Sequence, residues 1–265
     1  MSLVRAGQLS LALMFSAAAT ACGSGGSRVR PAPGPATGTA SSQAIPTPAA
    51  GSRERVITLG RSVQGRPITL WVRGAGNAPR RILVVGCIHG SETAGIRVAR
   101  ALVTGQTPAG STLWVIPDLN PDGVAARTRQ NAHGVDLNRN FPLNWRPLGA
   151  RGDQQYSGPR PLSEPESRIA YRLILRLRPA ITIWFHQPEG VTDQSGGSLS
   201  IERRFAALSG LPLRRLPRYP GSAAGWQDHR LPATTAFVVE LPPGRPSAAA
   251  IRRYARAVRV LAASA

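Results

Sequence analysis

The sequence predicts an α/β protein built on a single mixed, mostly parallel sheet with helices on both faces. Two observations lead there. Four short, β-rich runs, RILVVGC (81–87), STLWVIP (111–117), ITIWFH (181–186) and TTAFVVEL (234–241), are apolar throughout rather than alternating, as strands buried on both faces are. Stretches with helical spacing fall between them, and strand followed by helix is the pattern of parallel strands joined by crossovers. The sequence shows no internal repeat.

Taken in order, RVITLG and PITLWVRG, joined by RSVQGR, read as an opening hairpin. RILVVGC follows as a central strand. SETAGIRVARALVTG then carries Ile96, Ala99, Leu102 and Val103 at helical spacing, with Ser91 placed to cap its start and Gly105 its exit. STLWVIP is the next strand, SEPESRIAYRLILRLRP (163–179) a helix, ITIWFH and TTAFVVEL two further strands, and PSAAAIRRYARAVRVLAA a closing helix.

Ahead of the hairpin the composition changes. Residues 1–22, MSLVRAGQLSLALMFSAAATAC, place Arg5 before an apolar stretch and small residues before Cys22, the pattern of a signal peptide rather than a membrane span, so export is expected. Ala19-Thr20-Ala21 permits ordinary cleavage, whereas the GSGGS stretch after Cys22 favours lipidation of that cysteine and a membrane tether in the cell envelope. The other cysteine is Cys87, so a lipidated Cys22 leaves no internal disulfide, and stability must come from the core. Residues 23–53 are Pro, Gly, Ala, Ser and Thr with almost no bulky apolar side chain and read as a linker. Residues 54–265 are the folded domain, with a monomer as the default.

All 33 basic side chains are arginine, against 13 acids. Four arginines and no acid lie in residues 1–53, so 29 − 13 = +16 remains on the folded part. The arginines are scattered and not interleaved with stacking aromatics, which argues against nucleic acid as a partner and leaves the codon bias of a GC-rich genome first, with attraction to an anionic envelope next.

The first chemical signal is GCIHGSETAG (86–95), where His89 and Glu92 follow directly on a buried strand, the place where open α/β sheets form ligand crevices. Catalytic zinc sites commonly combine two histidines with a carboxylate and keep a fourth position open. The chain has four histidines, leaving His133, His186 and His229 as candidates for the second. His186 ends ITIWFH and would emerge at the same sheet edge as His89 if the strands are parallel neighbours. His133 and His229 stand in polar, loop-like surroundings. Residues 120–142, NPDGVAARTRQNAHGVDLNRNFP, are too polar and Gly-rich for a simple buried helix, yet carry arginine and asparagine side chains suited to oxyanions and carboxylates.

Together NPDG, R-x-N-x-x-G-V-D-L-N-R-N-F and Y-S-G-P-R-P-L-S-E-P-E (156–166) resemble the zinc carboxypeptidase family, over about residues 54 to 262. The short form, without a long insertion before GVDLNRNF, is similar to the bacterial murein peptide amidases. Position by position, the resemblance implies that His89, Glu92 and His186 hold one Zn2+ ion, that Glu240 is general base and proton shuttle, and that Arg129 stabilises the carbonyl oxyanion. It further implies that Asn138 and Arg139 bind the substrate's terminal carboxylate and that Asp136 orients His89. Tyr219 is the candidate for the family tyrosine that closes over substrate. The segment YPGSAAGWQDH (219–229) falls where the family builds its side-chain pocket; Asp228 there, or Glu189 or Asp193 after His186, could receive the amino group of a diaminopimelate side chain. The implied activity is hydrolysis of the amide next to a terminal residue with a free carboxylate, γ-D-glutamyl-diaminopimelate in murein peptides. Two rivals stand beside it: a general metallocarboxypeptidase on peptide C-termini, and a tethered binding protein without catalysis, which would have no use for Glu240.

Overall fold

The computed structural model describes residues 54–75 and 78–264; the expected signal peptide, Cys22 and the linker lie outside the described residues. Strands β1 (Glu54–Arg61) and β2 (Pro67–Gly74) form the expected hairpin. They are followed by β3 (Arg80–Val85), α1 (Ala94–Thr104), β4 (Ser111–Ile116), α2 (Pro121–Ala126) and α3 (Pro165–Leu177). The chain then forms β5 (Ile181–His186), β6 (Val191–Asp193), α4 (Leu199–Ser209), β7 (Leu213–Arg214), α5 (Ala223–Arg230), β8 (Thr235–Glu240) and α6 (Ala248–Ser264).

All eight strands join one sheet in the order β1-β2-β4-β3-β5-β8-β6-β7. Its centre, β4-β3-β5-β8, is parallel, β1, β2 and β4 pair antiparallel, and β6 runs antiparallel to β8. Successive residues of the central strands therefore feed two separate cores. Ile82 and Val84, with Leu113 and Val115, pack under α1, α4 and α6 against Val98, Leu102, Phe205, Tyr254 and Leu261. Leu83 and Val85, with Trp114 and Trp184, pack on the other face against Leu173, Ile174 and Trp226 of α3 and α5. Burying each such side chain stabilises the fold by about 1.5–3 kcal/mol, so the absence of polar positions in these strands follows directly from two covered faces. No helix among the described residues is long and apolar enough to cross a membrane.

This winding fixes where ligands can bind. From β3 the chain passes through α1 to β4 on one flank, then returns through α3 to β5 on the other, so the winding reverses between β3 and β5. Such a switch point opens a crevice at the carboxyl ends of the strands. His89 follows β3, His186 is the last residue of β5, and Glu240, the last residue of β8, stands in register beside His186.

Several local expectations need correction. The N-cap of α1 is Thr93, not Ser91, and it makes no side-chain capping bond. Residues 120–142 do begin with one helical turn, α2, because the Asn120 side chain accepts from Gly123 N and Pro121 supplies a preset first position. The rest is loop apart from a single 3-10 turn at Leu137–Arg139. The segment 219–229 is largely α5, capped by Ser222 accepting from Gly225 N, so His229 lies on a helix and not in a loop.

Candidate active site

At the switch point the structure brings three side chains to one centre. His89, Glu92 and His186 are all buried and each offers a ligand atom within 4.8 Å of the others. His89 Nδ1 lies 3.0 Å from Glu92 Oε1, and His186 Nδ1 lies 3.0 Å from Glu92 Oε2 and 3.1 Å from His89 Nδ1. Two imidazole nitrogens facing each other at that distance can share at most one proton, so at least one lone pair points at its neighbour. Two imidazole nitrogens and a carboxylate converging on one point form a donor set that suits zinc. His133 and His229 are not part of this centre: half-exposed His133 bonds Glu164, and His229 is exposed on α5.

The centre is held by a ring of supporting bonds. Asp136 Oδ1 lies 2.9 Å from His89 Nε2, so Nε2 carries the proton and Nδ1 presents its lone pair inward. Glu92 receives Arg129 NH1 at 2.8 Å on Oε1 and the Gln187 amide at 3.1 Å on Oε2, which fixes its plane. Burial alone would push the His89 imidazole down, but the Asp136 and Glu92 carboxylates outweigh it and raise the imidazole's pKa. In turn, Glu92 and Asp136 are held far below the usual carboxylate range, since the attraction of the histidines, joined at Asp136 by Arg129 and Arg139, exceeds the burial penalty.

Local sequence explains how the loop carrying Arg129 and Asp136 reaches this centre. Asn120 Nδ2 donates to Ile88 O at 3.1 Å and the Gly90 amide donates to Arg129 O, tying the NPDG turn, the strand end and the arginine together. Gly90 permits the approach: a Cβ there would stand 1.9 Å from the Gly123 carbonyl carbon. Asn131 spans the loop, accepting from His133 N and Val135 N and donating to both Glu164 and Glu166. The SEPE motif thus buttresses the loop from beneath. Nothing local in the sequence marks Asn120, Asn131, Glu164, Glu166 and Gln187 individually, because their bonds reach backbone or side-chain groups distant in the chain, such as Ile88 O for Asn120, Glu164 for Asn131 and Val63 N for Glu166.

A cleft of about 420 Å³ opens over the centre. Arg129, Asn138, Arg139, Tyr219 and Glu240 all line it, and Asp136 bonds His89 at its floor, so these expected site residues are gathered here. Glu240 Oε2 is buried with no hydrogen-bond partner, and burial raises the carboxyl pKa, opposed by the His186 charge. Arg139 is almost fully buried: NH1 donates to Asn138 O at 2.9 Å, its guanidinium carbon lies 4.0 Å over the Tyr219 ring, and Nε is unpartnered. A buried guanidinium with a spare donor at a cleft wall is suited to bind a carboxylate. Of the three acids considered for a side-chain pocket, Glu189 and Asp193 line this cleft, whereas Asp228 lines neighbouring hollows.

The zinc carboxypeptidase family matches residues 49–191, which take in His89, Glu92, Arg129, Asp136, Asn138, Arg139 and His186. The chain belongs to the zinc carboxypeptidase family. Like its relatives, it is a zinc-dependent hydrolase. Among curated relatives, murein peptide amidase A of Escherichia coli K12 is 32% identical over 202 residues, covering 69% of this chain and 80% of that protein. The enzyme of the same name from Vibrio campbellii is 31% identical, covering 70% and 79%. Among solved structures, murein-tripeptide amidase from Escherichia coli O157 superposes with a TM-score of 0.65 at 27% identity, over 81% of this chain and 98% of that one. Carboxypeptidase A of Helicoverpa armigera, at 20% identity and a TM-score of 0.66 over 80% and 69%, shares the fold.

Two tests of this zinc carboxypeptidase site follow from its packing. Gly221 has φ of +72°, and a Cβ there would lie 2.1 Å from Arg139 O. Its backbone accepts from Phe141 N and donates to Leu143 O, so it locks the Tyr219 segment onto the Arg139 segment. Gly221→Ala is expected to separate the two and lower kcat/KM by about 10²-fold, mainly through KM, with little change in zinc content. Steady-state kinetics with metal analysis checks this.

Asp228 gives a pH test outside the reaction centre. Burial pushes its carboxyl up to about 7, with the Ala236 amide and Arg218 opposing and Glu202 adding to the rise. Between pH ~4 and 7 the folded protein keeps a proton that the unfolded chain, with a pKa of about 3.9, has released, so this group's stabilising contribution is full at low pH and lost as pH rises through that window. Asp228→Asn is expected to flatten the loss and to be more stable than the parent by about 2 kcal/mol at pH 8, but not at pH 4. Denaturant unfolding of both proteins at the two pH values measures it.

Proposed function

We propose that the protein is an exported amidase that releases diaminopimelate from γ-D-glutamyl-diaminopimelate in murein peptides, tethered to the membrane by a lipid on Cys22 and working as a monomer. The observation that carries the reading is one cleft holding the His89-Glu92-His186 centre, the unpartnered Glu240 oxygen and the buried Arg139 guanidinium with its unpartnered Nε together. The murein substrate is supported by similarity spanning 80% of a murein peptide amidase.

Each side chain has a defined task. A zinc ion held by His89, Glu92 and His186 supplies an acidified water and a Lewis acid for the scissile carbonyl. Glu240 takes the proton of the attacking water on its free oxygen and later delivers it to the leaving amide nitrogen. Arg129, one-fifth exposed at the cleft wall, donates to the oxygen on which negative charge develops. Arg139 receives the terminal carboxylate, and Asn138, whose Oδ1 is fixed by the Ala223 amide, stands beside it. Tyr219 stacks over Arg139 at the cleft wall, where it can close on the bound residue.

A substrate panel tests the reading. L-alanyl-γ-D-glutamyl-diaminopimelate is expected to be cleaved with kcat/KM at least about 10²-fold above α-linked peptides ending in ordinary residues. Equal or better trimming of the α-linked peptides would assign a general carboxypeptidase instead, and binding of wall polymer without turnover would assign the tethered binder.

A further inference from the structure

The cleft also contains groups that the reaction steps leave unused. Its lining includes Ala224, Gly225 and Val238 together with Asp193, Ser195 and Arg218, and the Val238 amide donates to Ser195 Oγ, which ties that strand to the Asp193 group. Asp193 closes β6 and is only 3% exposed, yet it borders the cleft. Its Oδ1 accepts the Leu216 amide at 2.8 Å, and its Oδ2 accepts Ser195 Oγ and Arg218 NH1, each at 2.7 Å. Arg218 also donates from NH2 to the Gln194 carbonyl, and its other N–H groups have no protein acceptor among the described residues. The pair is asymmetric: a buried carboxylate fixed by backbone and hydroxyl, and a guanidinium whose side chain is 41% exposed with donors to spare.

That asymmetry discriminates among terminal side chains. Ala224 and Gly225 line the same cleft as the pair and add little bulk to it. An apolar end would strip water from two charges and replace nothing. A lone ammonium would meet Asp193 but face Arg218, and a lone carboxylate would meet Arg218 but face Asp193. An end group bearing both charges satisfies both partners at once, the carboxylate taking Arg218's spare donors and the ammonium the one remaining lone pair on Asp193 Oδ1.

We propose that Asp193 and Arg218 are the specificity-determining pair for the released residue's side chain, reading a zwitterionic end that carries both an ammonium and a carboxylate. The inference rests on the murein reading above and deepens it, since diaminopimelate carries such an end and lysine does not.

The test uses the full-length zinc-loaded protein and three tripeptides, L-alanyl-γ-D-glutamyl-X, in which X is meso-diaminopimelate, diaminopimelate with its distal carboxyl amidated, or L-lysine. The wild type is expected to favour the first over the other two by about 10²-fold in kcat/KM. Arg218→Gln should compress that ratio to within about threefold, and Arg218→Lys should restore part of it. Circular dichroism and zinc content, unchanged in both variants, separate this effect from misfolding. A ratio that Arg218→Gln leaves at the wild-type value, or a wild type that releases lysine as readily as diaminopimelate, would overturn the inference while the murein reading stands. A wild type that cleaves none of the three but trims α-linked peptides would overturn both.

Discussion

Glu240→Gln is expected to lower kcat by about 10³-fold while leaving zinc content and fold unchanged. The carboxylate ends β8 beside His186, and one of its oxygens, Oε2, is buried without a partner. Glutamine keeps the volume and the strand register but cannot accept and return a proton. No other carboxylate lines the cleft in a comparable state: Glu92 belongs to the metal centre, Asp193 is bonded through both oxygens, and Glu189 is exposed. The loss should therefore appear in kcat more than in KM, because the Arg139 receptor is untouched. Activity within tenfold of the parent would place the base elsewhere.

The second large effect is loss of the metal itself. His186→Ala is expected to abolish stoichiometric zinc binding and, with it, all turnover above background. Two remaining ligands cannot make the three-protein-ligand site that catalytic zinc uses. The fold should survive, because Trp184 and Phe185 keep their places in the two cores and the backbone bond from Leu241 N to His186 O does not involve the side chain. Metal analysis beside far-ultraviolet circular dichroism separates the two variants: Glu240→Gln retains zinc without turnover, and His186→Ala loses both. Full zinc occupancy in His186→Ala would remove His186 from the ligand set.

What the sequence made legible, and what it did not, follows the range of the interactions. The central strands were readable because burial on both faces leaves no polar position, as in RILVVGC and ITIWFH, and the reversal between β3 and β5 then brings His89 and His186 to one edge. Strands β6 and β7 were missed because three and two residues carry no periodicity. Helix α4 was missed for a different reason: Glu202 is fully buried on it, accepting the Ser195 amide, and so breaks the apolar stripe. Likewise, nothing local joins Asp193 to Arg218, or Asn131 to Glu164 and Glu166; those bonds exist only once the loops are folded against the sheet.

The most direct measurement is release of free diaminopimelate from L-alanyl-γ-D-glutamyl-diaminopimelate by the full-length protein, before chelation, after chelation and after adding zinc back. Release that stops with the chelator and returns with zinc, and that Glu240→Gln fails to show at any stage, is the result predicted. Release that persists without metal, or its absence from a zinc-loaded wild-type protein, would contradict the account.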